Sequence, residues 1–201
     1  MAKQLFKLDE LKPAAPVQSD KSDLLAVKFL NAHSRKLRWV KELSDRLPEP
    51  GEIFFIWKIN QFNAFTFIPW ILSISNPIDE LIITTYSINT KIIRSLAKYL
   101  RNGMVKYLHI VISDSVKFRI PKVIDELSQL KQGFPDRTDI TYAWNHSKVS
   151  LVKLRDHSLI IEGSGNFSEN SRHEQYIISN KPEVYDFRKK WIVDDIHGKT
   201  T

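Results

Sequence analysis

The chain has 201 residues, which suits one domain with an extension and allows a sizeable core. It contains no cysteine, so disulfides, thiolate metal sites and thiol nucleophiles are excluded, and a reducing cytoplasmic location is favoured. The formal net charge of +7 favours polyanionic partners, of which nucleic acid is the commonest. No apolar stretch is long and uninterrupted enough to cross a bilayer, so no stable membrane association is expected.

Residues 1–50 are predicted to form an N-terminal extension. Apolar side chains recur at helical spacing from Leu24 to about Leu47, which predicts a helix with a basic middle. Such a helix could contact phosphates, although a solvated basic face is the commoner arrangement. The sequence PEPG at residues 48–51 interrupts this pattern and predicts the boundary to a main domain over residues 51–201.

From residue 52 the hydrophobic pattern alternates between strands and helices. The predicted strands are Ile53–Ile59, Leu81–Thr85, Val105–Ser113, Asp139–Trp144, Val149–Leu154, Ser158–Ile161 and Gln175–Ser179. The predicted helices are Ala64–Ile74, Thr90–Asn102, Ile120–Gln132 and Pro182–Trp191. This alternation predicts an α/β fold in which a mixed, mainly parallel β-sheet is flanked by helices on both faces.

Several polar residues lie close in sequence to the strands Val149–Leu154 and Ser158–Ile161, which are predicted to form a hairpin. His146 and Lys148 are two residues apart on a predicted strand, so they project from the same face, about 6 to 7 Å apart. A glycine-rich turn follows the next strand and consists of Gly163, Ser164, Gly165 and Asn166. An imidazole and an ammonium beside such a turn form a candidate phosphate site, since backbone N–H groups can approach closely at glycine. A solvated pair at a sheet edge, next to an ordinary turn, is the alternative.

These residues resemble the signature of the phospholipase D superfamily, in which HxK on one strand is followed by GSxN after the next strand. The order of elements from about Glu52 to Trp191 is also similar to one domain of that fold. The resemblance implies a phosphodiesterase that needs neither a metal nor a cofactor. Neutral His146 would attack phosphorus and form a covalent phosphohistidine, and Lys148 would hold the phosphoryl oxygens.

The resemblance also implies roles for the neighbouring polar residues. Asn166 would share catalytic duties with His146 and Lys148, while Ser164 and its two flanking glycines, Gly163 and Gly165, would bind the substrate. Glu174 is the candidate carboxylate for orienting the histidine through its far nitrogen, with Glu162 as a second choice. One position departs from the family, because Lys153 stands where its aspartate would fall.

The chain carries one copy of the motif, whereas the chemistry needs a second histidine to protonate the leaving oxygen and later to activate water. The resemblance therefore implies a homodimer whose site contains both copies of His146. The small size and the single motif favour a DNA endonuclease over a lipid-directed enzyme, and DNA is the expected partner rather than RNA. A catalytically silent nucleic-acid-binding or scaffold protein that retains the fold is the alternative, and a phospholipid hydrolase is a more distant one.

Other histidines and aromatic residues have simpler interpretations. His109 lies in an apolar strand and is predicted to be a partnered core histidine, whereas His173, beside Glu174, could point into the site. The aromatic residues Phe62, Phe65, Phe67 and Trp70 could stack on bases, but their spacing is more typical of a core or a dimer interface.

Overall fold

The computed structural model describes residues 27–32, 45–59, 63–168 and 173–196. Its strands are β1 (Val27–Ala32), β2 (Ile53–Ile59), β3 (Ile78–Thr85), β4 (Val105–Ser113), β5 (Thr138–Ala143), β6 (Val149–Lys153), β7 (Ser158–Gly163) and β8 (His173–Asn180). Its α-helices are α1 (Phe67–Ile74), α2 (Thr90–Arg101), α3 (Val116–Arg119), α4 (Pro121–Gly133) and α5 (Pro182–Lys190). A 3-10 turn, Ala64–Thr66, precedes α1, and a π-helical segment, Trp191–Ile196, follows α5.

The eight described strands form one mixed sheet in the order β1-β2-β8-β7-β6-β3-β4-β5. Strands β3, β4 and β5 are parallel neighbours, and so are β1 and β2. Strands β6 and β8 are antiparallel to both of their neighbours, so the other six described strands run in one direction. The predicted mixed, mainly parallel sheet is confirmed, and β6 and β7 form the predicted hairpin.

Both faces of the sheet are covered because its central strands are apolar on both sides. In β3, Leu81 and Ile83 belong to a large core that includes residues of α1, α2 and α4. Ile82, on the opposite face, belongs to a second core with Tyr185 of α5 and Ile192. Among the helices of the described ranges, none combines the length and the apolar content needed to cross a membrane.

The helix predicted from Leu24 to about Leu47 is wrong where the structure describes that part of the chain. Val27–Ala32 is a strand that pairs in parallel with β2. Its valine and phenylalanine suit a strand, and pairing with β2 provides hydrogen bonds that outweigh a moderate helical pattern. Residues 33–44 of the predicted helix lie outside the described residues, and the domain boundary at residues 48–51 stays a prediction.

Candidate functional site

His146 and Lys148 were predicted to lie on a strand. In the structure they lie instead on the segment that leads from β5 into β6. Asn145 explains the difference. Its buried side chain donates to the carbonyl oxygens of Thr85 and Val111, both at 3.4 Å, across the ends of β3 and β4. Its Oδ1 accepts from the backbone N–H of Ser147 at 2.9 Å. Local side-chain bonds of this kind replace strand pairing and turn the segment across the sheet edge.

The turn brings His146 and Lys148 into direct contact. Lys148 Nζ lies 3.2 Å from His146 Nδ1 and donates to the His146 carbonyl oxygen at 2.7 Å. The exposed imidazole also packs against the ring of Tyr86, with the ring centroids 4.8 Å apart. With Lys148 protonated, the Nδ1 contact is made by the histidine tautomer that carries its proton on Nε2. A lysine placed here can therefore give its proton donors either to His146 or to the oxygens of a bound phosphate.

The glycine-rich turn lies beside this pair because β6 and β7 are hydrogen-bonded neighbours. The backbone N–H of Gly163 donates to the Lys148 carbonyl oxygen at 3.2 Å. A Cβ atom at Gly163 would clash with the Tyr176 ring and with the Gln175 carbonyl oxygen, and one at Gly165 would clash with the Tyr176 hydroxyl. Both glycines are thus required for the close approach of this turn to β8.

Asn166 and Ser164 have different positions in this turn. The side-chain oxygen of Asn166 accepts from Thr85 Oγ1 at 3.4 Å, and the amide nitrogen of the same side chain carries two N–H donors. Ser164 is already engaged, since its hydroxyl donates to Glu174 Oε2 and accepts from the Gln175 N–H at 3.1 Å.

Glu174 is buried beneath the site, and its charge acts on Lys148. Burial lowers the pKa of Lys148, and the negative charge of Glu174 partly offsets that effect. Burial also raises the pKa of Tyr176, and Glu174 adds to the increase. In the described residues Glu174 hydrogen bonds with Ser164 and not with His146, so the predicted orienting contact is not made within one chain.

The other two charged positions singled out from the sequence contact the α5 side of the sheet. Glu162 forms a two-point ion pair with Arg188, whose Nε and Nη2 donate at 2.5 and 3.1 Å, so the second-choice carboxylate is held by α5. Lys153, at the position of the family's aspartate, donates to Ser158 Oγ at 2.8 Å and lies 5.7 Å from the centre of the Tyr185 ring.

The simpler interpretations of the other histidines and aromatic residues agree with the structure. His109 Nε2 lies 3.1 Å from Thr141 Oγ1 within the sheet. His173 stacks on Trp57 at 5.4 Å, on the opposite side of β8 from Glu174. Of the four aromatic residues considered from the sequence, Phe67 and Trp70 are fully buried in the core and Phe65 packs on Tyr99. Phe62 lies outside the described residues.

Sequence reasoning missed three residues around the histidine. Asn145 positions the segment, Tyr86 packs on the imidazole, and the guanidinium of Arg119 lies 4.3 Å above the Tyr86 ring. All three follow the carboxyl end of a parallel strand, which is where α/β sheets bind ligands, and that rule could have identified them. Among the described residues, no three His, Asp or Glu side chains are grouped as a metal site.

Comparison with known proteins shows similarity in structure but not in sequence. No protein-family model and no curated protein matches the sequence. The crystal structure of polyphosphate kinase from Porphyromonas gingivalis is similar, with a TM-score of 0.54, 16% sequence identity, and coverage of 72% of this chain and 26% of that chain. The crystal structure of phosphatidylserine synthase from Haemophilus influenzae is also similar, with a TM-score of 0.51, 12% identity, and coverage of 74% and 40%.

This chain therefore spans about a quarter to two fifths of the length of these two enzymes. At such low identity the similarity concerns architecture and not substrate. Both the order of the elements and the layers of helices on a mixed sheet agree with the fold predicted from the sequence. The chain has a phospholipase D-like fold.

Proposed function

We propose that this protein is a metal-independent phosphodiesterase that cleaves DNA through a covalent phosphohistidine at His146. The observation that carries the proposal is the direct contact between the exposed His146 imidazole and the partly buried Lys148 ammonium. The donors of Asn166 lie on the adjacent turn, and buried Glu174 supplies a compensating charge. This set provides a nucleophile and stabilisation for the charge that develops on phosphoryl oxygens.

In the proposed first step a phosphodiester oxygen replaces His146 as an acceptor for Lys148. The imidazole then adopts the tautomer with its proton on Nδ1, and Nε2 attacks phosphorus. A P–N bond forms while the bond to the leaving oxygen breaks, and that oxygen takes a proton from a second histidine. In the second step the same histidine removes a proton from water, which attacks phosphorus and releases His146.

The second histidine is proposed to be the same residue of a second copy of the chain. HxK occurs twice in the sequence, at residues 146–148 and 197–199, but only the first is followed by GSxN, so the chain carries one complete copy of the signature. In-line attack and departure at one phosphorus require the two imidazoles to lie about 5 to 6 Å apart. Two exposed His146 side chains facing each other across a twofold axis could satisfy this distance. The net charge of +7 supports DNA as the substrate rather than a neutral one.

Incubation of the full chain with supercoiled plasmid in excess EDTA tests this function. We expect nicked and linear products, together with a covalent protein–DNA adduct in acid-free denaturing gels after rapid quenching. A requirement for added magnesium would contradict the covalent-histidine mechanism. Anionic phospholipid vesicles in parallel would reveal a lipid hydrolase, the more distant alternative.

Lys153 at the position of the family's aspartate supports a second candidate, a silent nucleic-acid-binding protein. Its cross-strand contact with Ser158 places a cation where the family has an acid. Binding of DNA with an ordinary salt dependence, but no cleavage of any phosphodiester, would favour this candidate.

The pH dependence of cleavage should report on Lys148 and Glu174. The proposed mechanism needs protonated Lys148, so the rate should fall as pH rises through the pKa of this lysine, which burial has lowered. Glu174 raises that pKa, so Glu174→Gln should shift the alkaline fall in rate to lower pH. Single-turnover rates between pH 6 and about 10.5 measure the shift, with the lysine reference value as the upper limit.

Glu162→Gln is the matched control for this shift, because its carboxylate is paired with Arg188 on α5. Its alkaline profile should coincide with that of the wild type. If the rate of Glu174→Gln falls at the same pH as that of the wild type, or at a higher pH, Lys148 is not the titrating group.

A further inference from the structure

A second surface of distinct chemistry lies next to His146, at the carboxyl ends of β3, β4 and β5. It is called the rim here and consists of Tyr86, Lys117, Phe118, Arg119 and Trp144. The two strand ends are adjacent, since the Asp114 N–H donates to the Ala143 carbonyl oxygen at 2.9 Å. Helix α3 follows β4 directly and Trp144 follows β5 directly, so the rim is one continuous feature of this sheet edge.

Two aromatic side chains of the rim are almost fully in solvent. Phe118 is 88% exposed and Trp144 is 95% exposed, more than any other large hydrophobic residue of the described ranges. Trp144 is two residues from His146 in sequence. Isolated exposed aromatics are common on protein surfaces, but these two adjoin a candidate phosphodiester site. Their exposed ring faces are available for stacking.

Two cations of the rim flank Phe118 in the sequence and lie over other aromatic rings. Lys117 and Arg119 are on either side of Phe118, with Lys117 Nζ 4.7 Å from the centre of the Tyr142 ring. Arg119 Nε and Nη2 donate to Ser115 Oγ at 3.3 and 3.1 Å, while its guanidinium carbon lies 4.3 Å over Tyr86. The Tyr86 ring in turn contacts His146. A positioned guanidinium thus lies one aromatic ring away from the proposed nucleophile.

We propose that the rim binds a single-stranded nucleic acid segment next to the reacting phosphate, with bases stacked on Trp144 and Phe118 and a neighbouring phosphate on Arg119. A nucleic acid carries repeating phosphates and can therefore reach both Arg119 and His146, and unpaired bases offer free π-faces that a duplex does not. The identity of the reacting phosphate rests on the proposed function, but stacking and phosphate binding at the rim do not need cleavage. Two rings offer far less surface than the roughly 800 Å² per partner that a stable protein interface buries.

Anisotropy of a labelled single-stranded DNA oligonucleotide and of the same sequence as a duplex tests the proposal in the full-length His146→Ala protein. Trp144→Ala and Phe118→Ala should each weaken single-strand binding by about 5- to 150-fold, the range that loss of one base–aromatic stack gives. Duplex binding should change much less. Tyr107→Ala is the matched control, because Tyr107 is 57% exposed but lies six residues before the end of β4.

Two further variants separate stacking from charge. Trp144→Tyr should restore most of the single-strand affinity, since it keeps an aromatic face. Arg119→Gln should lower the slope of log affinity against log salt by about one, whereas Arg101→Gln, at the end of α2, should lower it less.

Unchanged single-strand affinity in both aromatic variants would overturn the proposal. It would also be overturned if they converted a dimer to a monomer in sedimentation, which would assign the rim to contact between copies, or if they lost only binding to anionic vesicles. Loss of single-strand binding in a chain whose wild type cleaves nothing would support the rim while the proposed function fails. Normal single-strand binding by the rim variants, together with DNA cleavage by the wild type, would refute the rim and leave the proposed function in place.

Discussion

Replacing His146 with alanine is expected to reduce the rate of DNA cleavage by at least about 1,000-fold, the loss typical of removing a covalent nucleophile. DNA binding should stay within a few-fold of the wild type, because the basic side chains that are proposed to contact phosphates remain. The fold should also be unaffected, since the side chain is exposed and its contacts include only a flexible lysine, Lys148, and the face of the Tyr86 ring as polar and aromatic partners in the described residues.

Single-turnover cleavage and anisotropy with the same oligonucleotide measure the two effects separately. His157→Ala is the matched control, because this histidine lies in the turn between β6 and β7, at the far end of the hairpin from Lys148. A His146→Ala protein that keeps more than about a tenth of the wild-type rate would rule out this residue as the nucleophile.

Mixing the two proteins extends this test to the proposed dimer. If both copies of His146 act at one site, subunit exchange with excess His146→Ala protein should progressively abolish wild-type activity. Activity that depends only on the amount of wild-type chain would show that one chain contains a complete site.

Replacing Gly163 with alanine is expected to lower both stability and activity. The new Cβ would meet the Tyr176 ring and the Gln175 carbonyl oxygen, and backbone atoms cannot rotate away. Overpacking of this kind costs about 1–3 kcal/mol, which lowers Tm by about 2–4 °C per kcal/mol in a domain of this size. Activity should fall further, because the Gly163 N–H donates to the carbonyl of Lys148, and moving the turn moves that lysine.

Gly133→Ala provides the comparison. Nothing lies within 4 Å of a Cβ at this position, which is the last residue of α4. Its Tm should be unchanged or slightly higher, since alanine restricts the unfolded chain. Thermal unfolding followed by circular dichroism, with cleavage assays well below Tm, separates lost stability from a displaced site. Equal Tm values for both variants would mean that β8 yields to the added methyl group.

Local patterns were sufficient for most elements, but they missed the short helix α3 and were wrong at two other places. Strand β4 is as predicted, and α2 ends within one residue of its predicted end, just before Gly103 (φ 70°), because alternation and a left-handed glycine are local properties. The helix prediction failed at Val27–Ala32, because pairing with β2, more than 20 residues away, decides the structure of this segment. The strand prediction failed at His146 and Lys148, because Asn145 hydrogen bonds to the ends of β3 and β4. The spacing of residues in the sequence cannot show such a contact.

The two carboxylates near the site illustrate the same limit. By sequence Glu174 and Glu162 are both acidic residues close to the glycine-rich turn. In the structure Glu174 is buried on one side of the sheet next to Ser164, whereas Glu162 is held by Arg188 of α5. Side-chain direction alternates along neighbouring strands, so the sheet register assigned each carboxylate to its partner.

The sequence by itself determined the fold class and the pairing of the HxK segment with the glycine-rich turn. Both depend on periodicity and on a short hairpin, in which Val149 lies opposite Glu162 and Lys148 is therefore next to Gly163. Only the tertiary structure decided what surrounds them. It placed β8 beside β7, with Glu174 and Tyr176 under the turn, and it brought the rim to the imidazole. The rim joins distant parts of the chain through the parallel crossovers between β3, β4 and β5, and β8 is held between β7 and β2 in antiparallel pairing. Such neighbours are chosen by packing of the whole sheet and not by local spacing.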